Sequence, residues 1–154
     1  MPPPVALARG TKALAVAGRL LHDFNTEYDE PSPGPRVLAR RLRELVAAGD
    51  TEVLVVGRLA DAGGVAVLRF RPSLWSEANE CYLAELYVVP ARRGGVGRVL
   101  LRACIDRAVA RRCDLIDLAT SEDDVAARHL YEAEGFRRTE GEGGPLTFHY
   151  EHDL

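Results

Sequence analysis

The chain has 154 residues, 47% hydrophobic and 28% charged, with a net charge of −3. A single domain of this size buries roughly two-thirds of its unfolded surface, so one core is expected. Apolar runs such as Val53–Val56 fall far short of the ~18 residues that cross a bilayer, and the acidic balance gives no whole-molecule attraction to nucleic acid or to an anionic membrane.

Residues 1–10 carry Pro2, Pro3, Pro4 and Gly10 without periodicity and read as a flexible N-terminus ahead of a domain at 11–154. The opening Met1-Pro2-Pro3-Pro4-Val5 lacks a charged and then apolar leader, so a cytoplasmic chain is expected. From a Thr11 cap, Leu14, Ala17, Leu21, Phe24 and Tyr28 recur at helical spacing, and the helix ends in the acidic stretch Glu27–Glu30. Pro31-Ser32-Pro33-Gly34-Pro35 breaks it. A second helix sets Leu38, Leu42, Leu45 and Val46 on one face before Gly49 stops it, so two helices are expected before any strand. Thr51–Leu59 and Val65–Arg71 read as a hairpin turned by positive-φ glycines in Asp61-Ala62-Gly63-Gly64. Trp75 follows and is expected to line the acceptor side or, the favoured reading, to cover the core. Glu80–Val89 is apolar enough for an interior strand ended by Pro90.

Ala91–Gly97 leads into a helix with Leu101, Cys104, Ile105 and Ala108 on one stripe, and Leu115–Ala119 makes the next strand. Ser121-Glu122-Asp123-Asp124 has the form of a capping box, the helix it opens runs through Leu130 and Tyr131, and Gly135 ends it. Phe136–Thr139 and the alternating Leu146–Glu151 are expected as two closing strands. The order ααβββαβαββ predicts an α/β fold with a mixed sheet and a parallel crossover at the Arg92 loop. Cys81, Cys104 and Cys113 lie in apolar segments without metal spacing and read as reduced core thiols. His22, His129, His149 and His152 share no chelating pattern, so no metal is expected.

Arg92-Arg93-Gly94-Gly95-Val96-Gly97-Arg98 stands between a strand and a helix, where backbone N–H groups and the positive end of the helix dipole converge. Glycines let a phosphate approach the backbone, and the arginines add charged donors. No Gly-Lys-Ser/Thr follows, and the glycine spacing does not match G-x-G-x-x-G, so neither ATP nor NAD is expected. Taken alone, the heptad reads either as an anion cradle or as a glycine-rich turn with a solvated arginine face.

The stretch Glu85-Leu86-Tyr87-Val88-Val89-Pro90-Ala91-Arg92-Arg93-Gly94-Gly95-Val96-Gly97 resembles the acyl-CoA motif of the GNAT N-acetyltransferases, with Arg92, Gly95 and Gly97 in the places of Arg/Gln-x-x-Gly-x-Gly/Ala. Asp124-Val125-Ala126-Ala127-Arg128-His129-Leu130-Tyr131-Glu132-Ala133-Glu134-Gly135-Phe136 is similar to the family's Asn-x-x-Ala-x-x-Leu-Tyr…Gly-Phe helix. The likeness covers residues 11–154. It implies a single GNAT-like domain whose mixed sheet splays between the strand of Glu85–Val89 and that of Leu115–Ala119, with the pantetheine of acetyl-CoA in the cleft. Val88 and Val89 would then offer main-chain partners to the pantetheine and to the oxyanion. The backbone from Arg93 through Gly94, Gly95, Val96 and Gly97 to Arg98 would hold the pyrophosphate. Asp124 stands where relatives carry asparagine. A carboxylate cannot donate as an amide does, so Asp124 either meets the coenzyme or only caps its helix.

Transfer to an amine needs a neutral nitrogen, a stabilised oxyanion and a proton for the departing thiolate. The resemblance gives the last task to Tyr131, because a phenol of pKa about 10 can donate to a thiolate whose acid is near ~8.5; packing on the helix's inner face is the other reading. Glu85 is ionisable within a nearly apolar strand, where burial raises a carboxylate's pKa. It acts either as the base or as an anchor for a cationic substrate; some relatives carry their acid one place earlier, where this chain has Ala84. Asp23, Glu27, Asp29 and Glu30 would attract an amine, or form a solvated helix end. The stretch Phe24-Asn25…Glu27-Tyr28-Asp29-Glu30-Pro31 is similar to aminoglycoside 3-N-acetyltransferases. The expectation is an acetyl-CoA-dependent N-acetyltransferase acting, without metal, on a primary amine of a small molecule such as an aminoglycoside or polyamine. A protein or peptide N-acetyltransferase and a non-catalytic CoA-binding domain are the alternatives. The family likeness also implies a homodimer paired through Leu146–Glu151.

Overall fold

A computed structural model describes residues 1–154. Its elements in chain order are β1 (Val5–Leu7), α1 (Thr11–Glu27), α2 (Pro35–Ala48), β2 (Thr51–Val56), β3 (Gly64–Pro72), β4 (Asn79–Val88), α3 (Val96–Ala110), β5 (Cys113–Asp117) and α4 (Val125–Ala133). Single 3₁₀ turns at Leu59–Asp61 and Pro90–Arg92 complete the list. The sheet runs β1-β2-β3-β4-β5. Antiparallel ladders join β1 to β2, β2 to β3 and β3 to β4. The α3 crossover between the neighbouring strands β4 and β5 returns the chain in the same direction, which makes the sheet mixed. Residues Met1–Ile116 and Asp117–Leu154 form two compact units.

Every residue of β2 is buried, the signature of a strand covered on both faces. On one face Val53, Val55, Val65, Val67 and Tyr87 join Leu14, Ala17, Leu20 and Leu21 of α1 and Leu42 of α2. The buried residues of alternate parity, among them Leu54, Ala66, Leu68, Cys81 and Leu83, belong to the opposite face, where α3 supplies Leu100, Leu101, Cys104 and Ala108. Glu52 is the charged residue of this core. Arg107 grips its carboxylate with two hydrogen bonds of 2.7 and 2.9 Å, and Arg111 adds a third of 3.1 Å. Burial alone would raise the Glu52 pKa, but the two guanidinium groups hold it below the ordinary value of 4.5. Its stabilisation is therefore present above pH 4.5 and lost as pH falls through the lowered native value.

Several expectations are corrected. A strand does precede the helices: β1 pairs Val5 with Val56 and Leu7 with Leu54, three residues too few to show alternation. Thr11 is the first helical residue rather than the cap, a place taken by Gly10 without a side-chain bond. In the hairpin, Gly57 at φ +88° makes the positive-φ turn, not Gly63 or Gly64. Gly64 is required for space, since a Cβ there would lie 2.6 Å from the Tyr87 carbonyl. Glu80–Val89 is not protected throughout, because Tyr82 and Glu85 are exposed. Trp75 covers no core; it is 89% exposed. β5 begins two residues earlier than expected, at Cys113. Asp124, not Ser121, caps α4, accepting from the Ala127 N–H at 3.2 Å. The two closing strands reduce to one bridge between Thr139 and Leu146. Phe148 and Tyr150 beyond it are exposed, and an isolated hairpin without a covered apolar face is marginal in water.

Gly18 sets the distance between α1 and α2, because a Cβ there would lie 2.8 Å from both Ala39 N and Pro35 O. Gly18→Ala should therefore destabilise the protein by about 1–3 kcal/mol despite alanine's better helix propensity, read as a lower urea midpoint. Glu52→Gln strands two arginines and should cost about 3 kcal/mol at neutral pH. That loss should shrink on acidification, as measured by urea melts at pH 7 and pH 4 (approximate set points).

Candidate functional site

The β3–β4 ladder pairs Val67 with Glu85 but Leu68 with Leu83, so Ala84 is an extra residue, a β-bulge. In an uninterrupted register Glu85 and Tyr87 would share the α3 face with Cys81 and Leu83. The bulge turns both to the α1–α2 face, opposite Val67 and Val65. Glu85 as a residue is exposed there, yet the surrounding protein desolvates its carboxyl and pushes the pKa above the ordinary value of 4.5. A carboxyl in this state can take up a proton near neutral pH more readily than an ordinary glutamate.

Tyr87 is buried and stacks on Phe24 with ring centroids 4.9 Å apart, and Phe24 meets the edge of Tyr28 at 5.5 Å. The Tyr87 hydroxyl donates to Glu27 Oε1 at 3.0 Å. Desolvation and this carboxylate push its pKa up to about 12, so Tyr87 serves as a fixed donor rather than as a titrating acid. At the end of β4, Val89 N–H donates to Gly63 O at 3.0 Å. Antiparallel alternation then aims the N–H and C=O of Val88 away from β3. Of the two valines expected to present main-chain groups, Val88 points away from β3, whereas the Val89 carbonyl accepts from Arg92 N.

Pro90–Arg92 makes a 3₁₀ turn, after which Gly94 and Gly95 take φ of +106° and +145° and α3 begins at Val96. Neither glycine has an atom within 4 Å of where a Cβ would be, so they are needed for backbone conformation and leave open space. The first N–H groups of α3 have no intrahelical acceptors. A cradle of amides with free space in front fits a diphosphate. The arginines have partners within the protein. Arg92 pairs with Asp61 and lies over Gly63. Arg93 Nη2 donates to both Glu27 oxygens at 2.9 and 2.7 Å, while its Nε donates to the Val88 carbonyl at 3.1 Å. Burial would raise the Glu27 pKa, but hydrogen bonds from Arg93 and Tyr87 and the Arg93 charge hold it below 4.5. Acidic Glu27 and basic Arg93 were each singled out in the sequence; their pairing across 66 residues and the part of Tyr87 were not.

In the second unit α4 runs from the Asp124 cap to a C-terminus closed by Gly135 at φ +92°. Gly135 N–H donates to Glu132 O and Phe136 N–H to Tyr131 O, at 3.2 and 3.0 Å. The Phe136 ring lies 5.9 Å from that of Tyr131. These are the bonds and the apolar contact of a Schellman motif, and they fix the backbone and ring of Tyr131, which is half-buried. A shallow depression lined by Gly49, Phe70, Asn79 and Arg111 lies at the beginning of β4, remote from the glycine loop.

The model of the Acetyltransferase (GNAT) family matches residues 18–136, and the chain belongs to that family. It is similar to a crystal structure of an acetyltransferase from Arthrobacter sp. FB24, at 40% identity and a TM-score of 0.85, covering 97% of this chain and 96% of that one. The fold also matches an aminoglycoside acetyltransferase, meta-AAC0020, from an uncultured soil metagenomic sample, solved with sisomicin (15% identity, TM-score 0.78, 98% and 95% covered). Among curated proteins, N-alpha-acetyltransferase 40 of Saccharomyces cerevisiae is 40% identical over 74 residues, 43% of this chain and 26% of that protein. Mycothiol acetyltransferase of Beutenbergia cavernae is 37% identical over 68 residues, 42% and 23% respectively. The chain thus spans about a quarter of the length of the curated relatives it matches. No helix is long and apolar enough to cross a membrane.

The glycine at 95 should not be replaceable. Gly95→Ala places an L side chain at φ +145° and should destabilise by about 1 kcal/mol or more in thermal melts, with no lost contact to account for it.

Proposed function

We propose that the chain is an acetyl-CoA-dependent N-acetyltransferase that acetylates a primary amine of a small molecule by direct attack within a ternary complex. The observation that carries this reading is the cradle formed by Gly94 and Gly95 at the start of α3, continuous through Val88 with the bulged strand that bears Glu85. The main chain of Arg93, Gly94, Gly95, Val96, Gly97 and Arg98 holds the pyrophosphate, and the main chain of Val88, with Val89 behind it, meets the pantetheine. When bound, acetyl-CoA supplies an activated acyl carbon. Glu85 takes the proton from the acceptor ammonium, directly or through water, leaving a neutral amine. As the amine nitrogen bonds to the acyl carbon and the carbon–sulfur bond breaks, the Val88 N–H faces the developing oxyanion and Tyr131 gives a proton to the departing thiolate sulfur. The proton the nitrogen sheds on becoming an amide restores the phenol through water. Asp124 caps the helix that carries Tyr131.

The acidic end of α1, with Asp23, Glu27, Asp29 and Glu30, supports a cationic small molecule as acceptor, in keeping with the fold of the sisomicin-bound neighbour. The 40% identity to N-alpha-acetyltransferase 40 over 74 residues favours a second reading, in which the amine is a peptide N-terminus. Thiol release from acetyl-CoA, measured against aminoglycosides, polyamines and N-terminal peptides, decides between them. Tyr131→Phe should lower kcat ~10²-fold or more while leaving coenzyme affinity unchanged. In wild type, kcat/KM should rise with pH through a group titrating above the ordinary glutamate value, because Glu85 works only when deprotonated; Glu85→Gln should remove that limb from the profile.

A further inference from the structure

Arg93 carries two contacts that the proposed reaction needs broken. Its Nε covers the Val88 carbonyl, a main-chain group on the side where the pantetheine would lie, and its Nη2 bridges both oxygens of Glu27. Arg93 also stands at the mouth of the glycine cradle, one residue before Gly94, and its guanidinium carbon lies 5.9 Å from the Tyr87 ring centroid. Glu27 has a second, independent support. The Tyr87 hydroxyl donates to it at 3.0 Å from a ring that is buried and stacked on Phe24. If Arg93 leaves, Tyr87 keeps the carboxylate in place.

Building on the coenzyme reading above, we propose that Arg93 is an interlock between the two substrates. The coenzyme diphosphate draws the Arg93 guanidinium off Glu27, so that the Glu27 carboxylate, held by Tyr87, opens as the anchor for the acceptor's ammonium only when coenzyme is bound. A phosphate carries more charge than a carboxylate and can accept from two guanidinium nitrogens at once, where Glu27 takes only Nη2, so it competes well for the arginine. The exchange uncovers the Val88 carbonyl at the same moment. By linkage the coupling is reciprocal: an ammonium on Glu27 frees Arg93 and tightens coenzyme binding by the same factor. Glu27 is thus a specificity-determining residue for a cationic acceptor, and Arg93 a positioning residue that acts through it.

Coenzyme A itself is the probe, titrated calorimetrically into wild type, Glu27→Gln, Arg93→Gln and the double variant, with Glu27→Ala as a second test of the same carboxylate and thermal melts as the check on folding. Removing the competing carboxylate should tighten coenzyme A by about 1.5- to 5-fold, the range set by release of an exposed ion pair. Arg93→Gln should weaken binding and erase the effect of the Glu27 change. An unchanged or weaker affinity in both Glu27 variants, or a gain that persists without Arg93, overturns the interlock and leaves the coenzyme reading intact. Absence of coenzyme A binding to wild type overturns both. A readout that a structural ion pair would not move is the titration of the Glu27 carboxyl by carbon-13 NMR. It should shift upward when coenzyme A is added, as the guanidinium departs; a titration that stays where it was overturns the proposal.

Discussion

One extra residue in β4 decides where the chemistry of this chain can be. With Ala84 accommodated as a bulge, Glu85 and Tyr87 face α1 and α2; without it they would face α3. The two residues then meet different fates on the same face. Tyr87 is buried against Phe24 and becomes a rigid donor, whereas Glu85 stays at the surface but is desolvated enough for its pKa to rise. A side-chain period of two makes this an all-or-none choice, which is why a single residue suffices.

The same strand ends by dividing its main-chain groups between the ladder and the side away from it. Val89 N–H closes the ladder onto Gly63, and that closure turns Val88 outward. Gly64 is part of this arrangement, since only a residue without a Cβ lets β3 approach the Tyr87 carbonyl. Beyond Val89 the chain passes through a 3₁₀ turn into two glycines whose conformations other residues rarely adopt. An anion arriving at this point meets peptide dipoles first, because Arg92 and Arg93 are engaged with Asp61 and Glu27 in the unliganded chain. Backbone recognition of this kind tolerates side-chain variation and depends on glycine at the turns.

Much of this was legible in the sequence because it rests on local rules. The α1 and α2 stripes, the Gly49 stop, the glycine loop and the Gly135-Phe136 close of α4 each follow from spacing and conformational preference within a few residues. The bulge left a fainter local trace: apolar residues sit at odd positions, Cys81 and Leu83, and then at even ones, Leu86 and Val88. Read as one continuous run, that change of phase is invisible. β1 was missed for the opposite reason, since its three residues are strand only by virtue of the β2 edge beside them. The closing strands were over-read because alternation in Leu146, Phe148 and Tyr150 shows an amphipathic ribbon but not what would cover it.

The pairing of Glu27 with Arg93 lies beyond any local rule, and it changes what each residue means. An acidic helix end and a basic loop, taken separately, suggest an amine on one and a phosphate on the other. Brought together they neutralise one another, and the site presents neither charge in full. A ligand of either sign must therefore disturb the pair before it can use its half, and the energy of that disturbance is shared by the ligand of the opposite sign. Two ligands of opposite sign meeting at this pair would be coupled through it without touching one another.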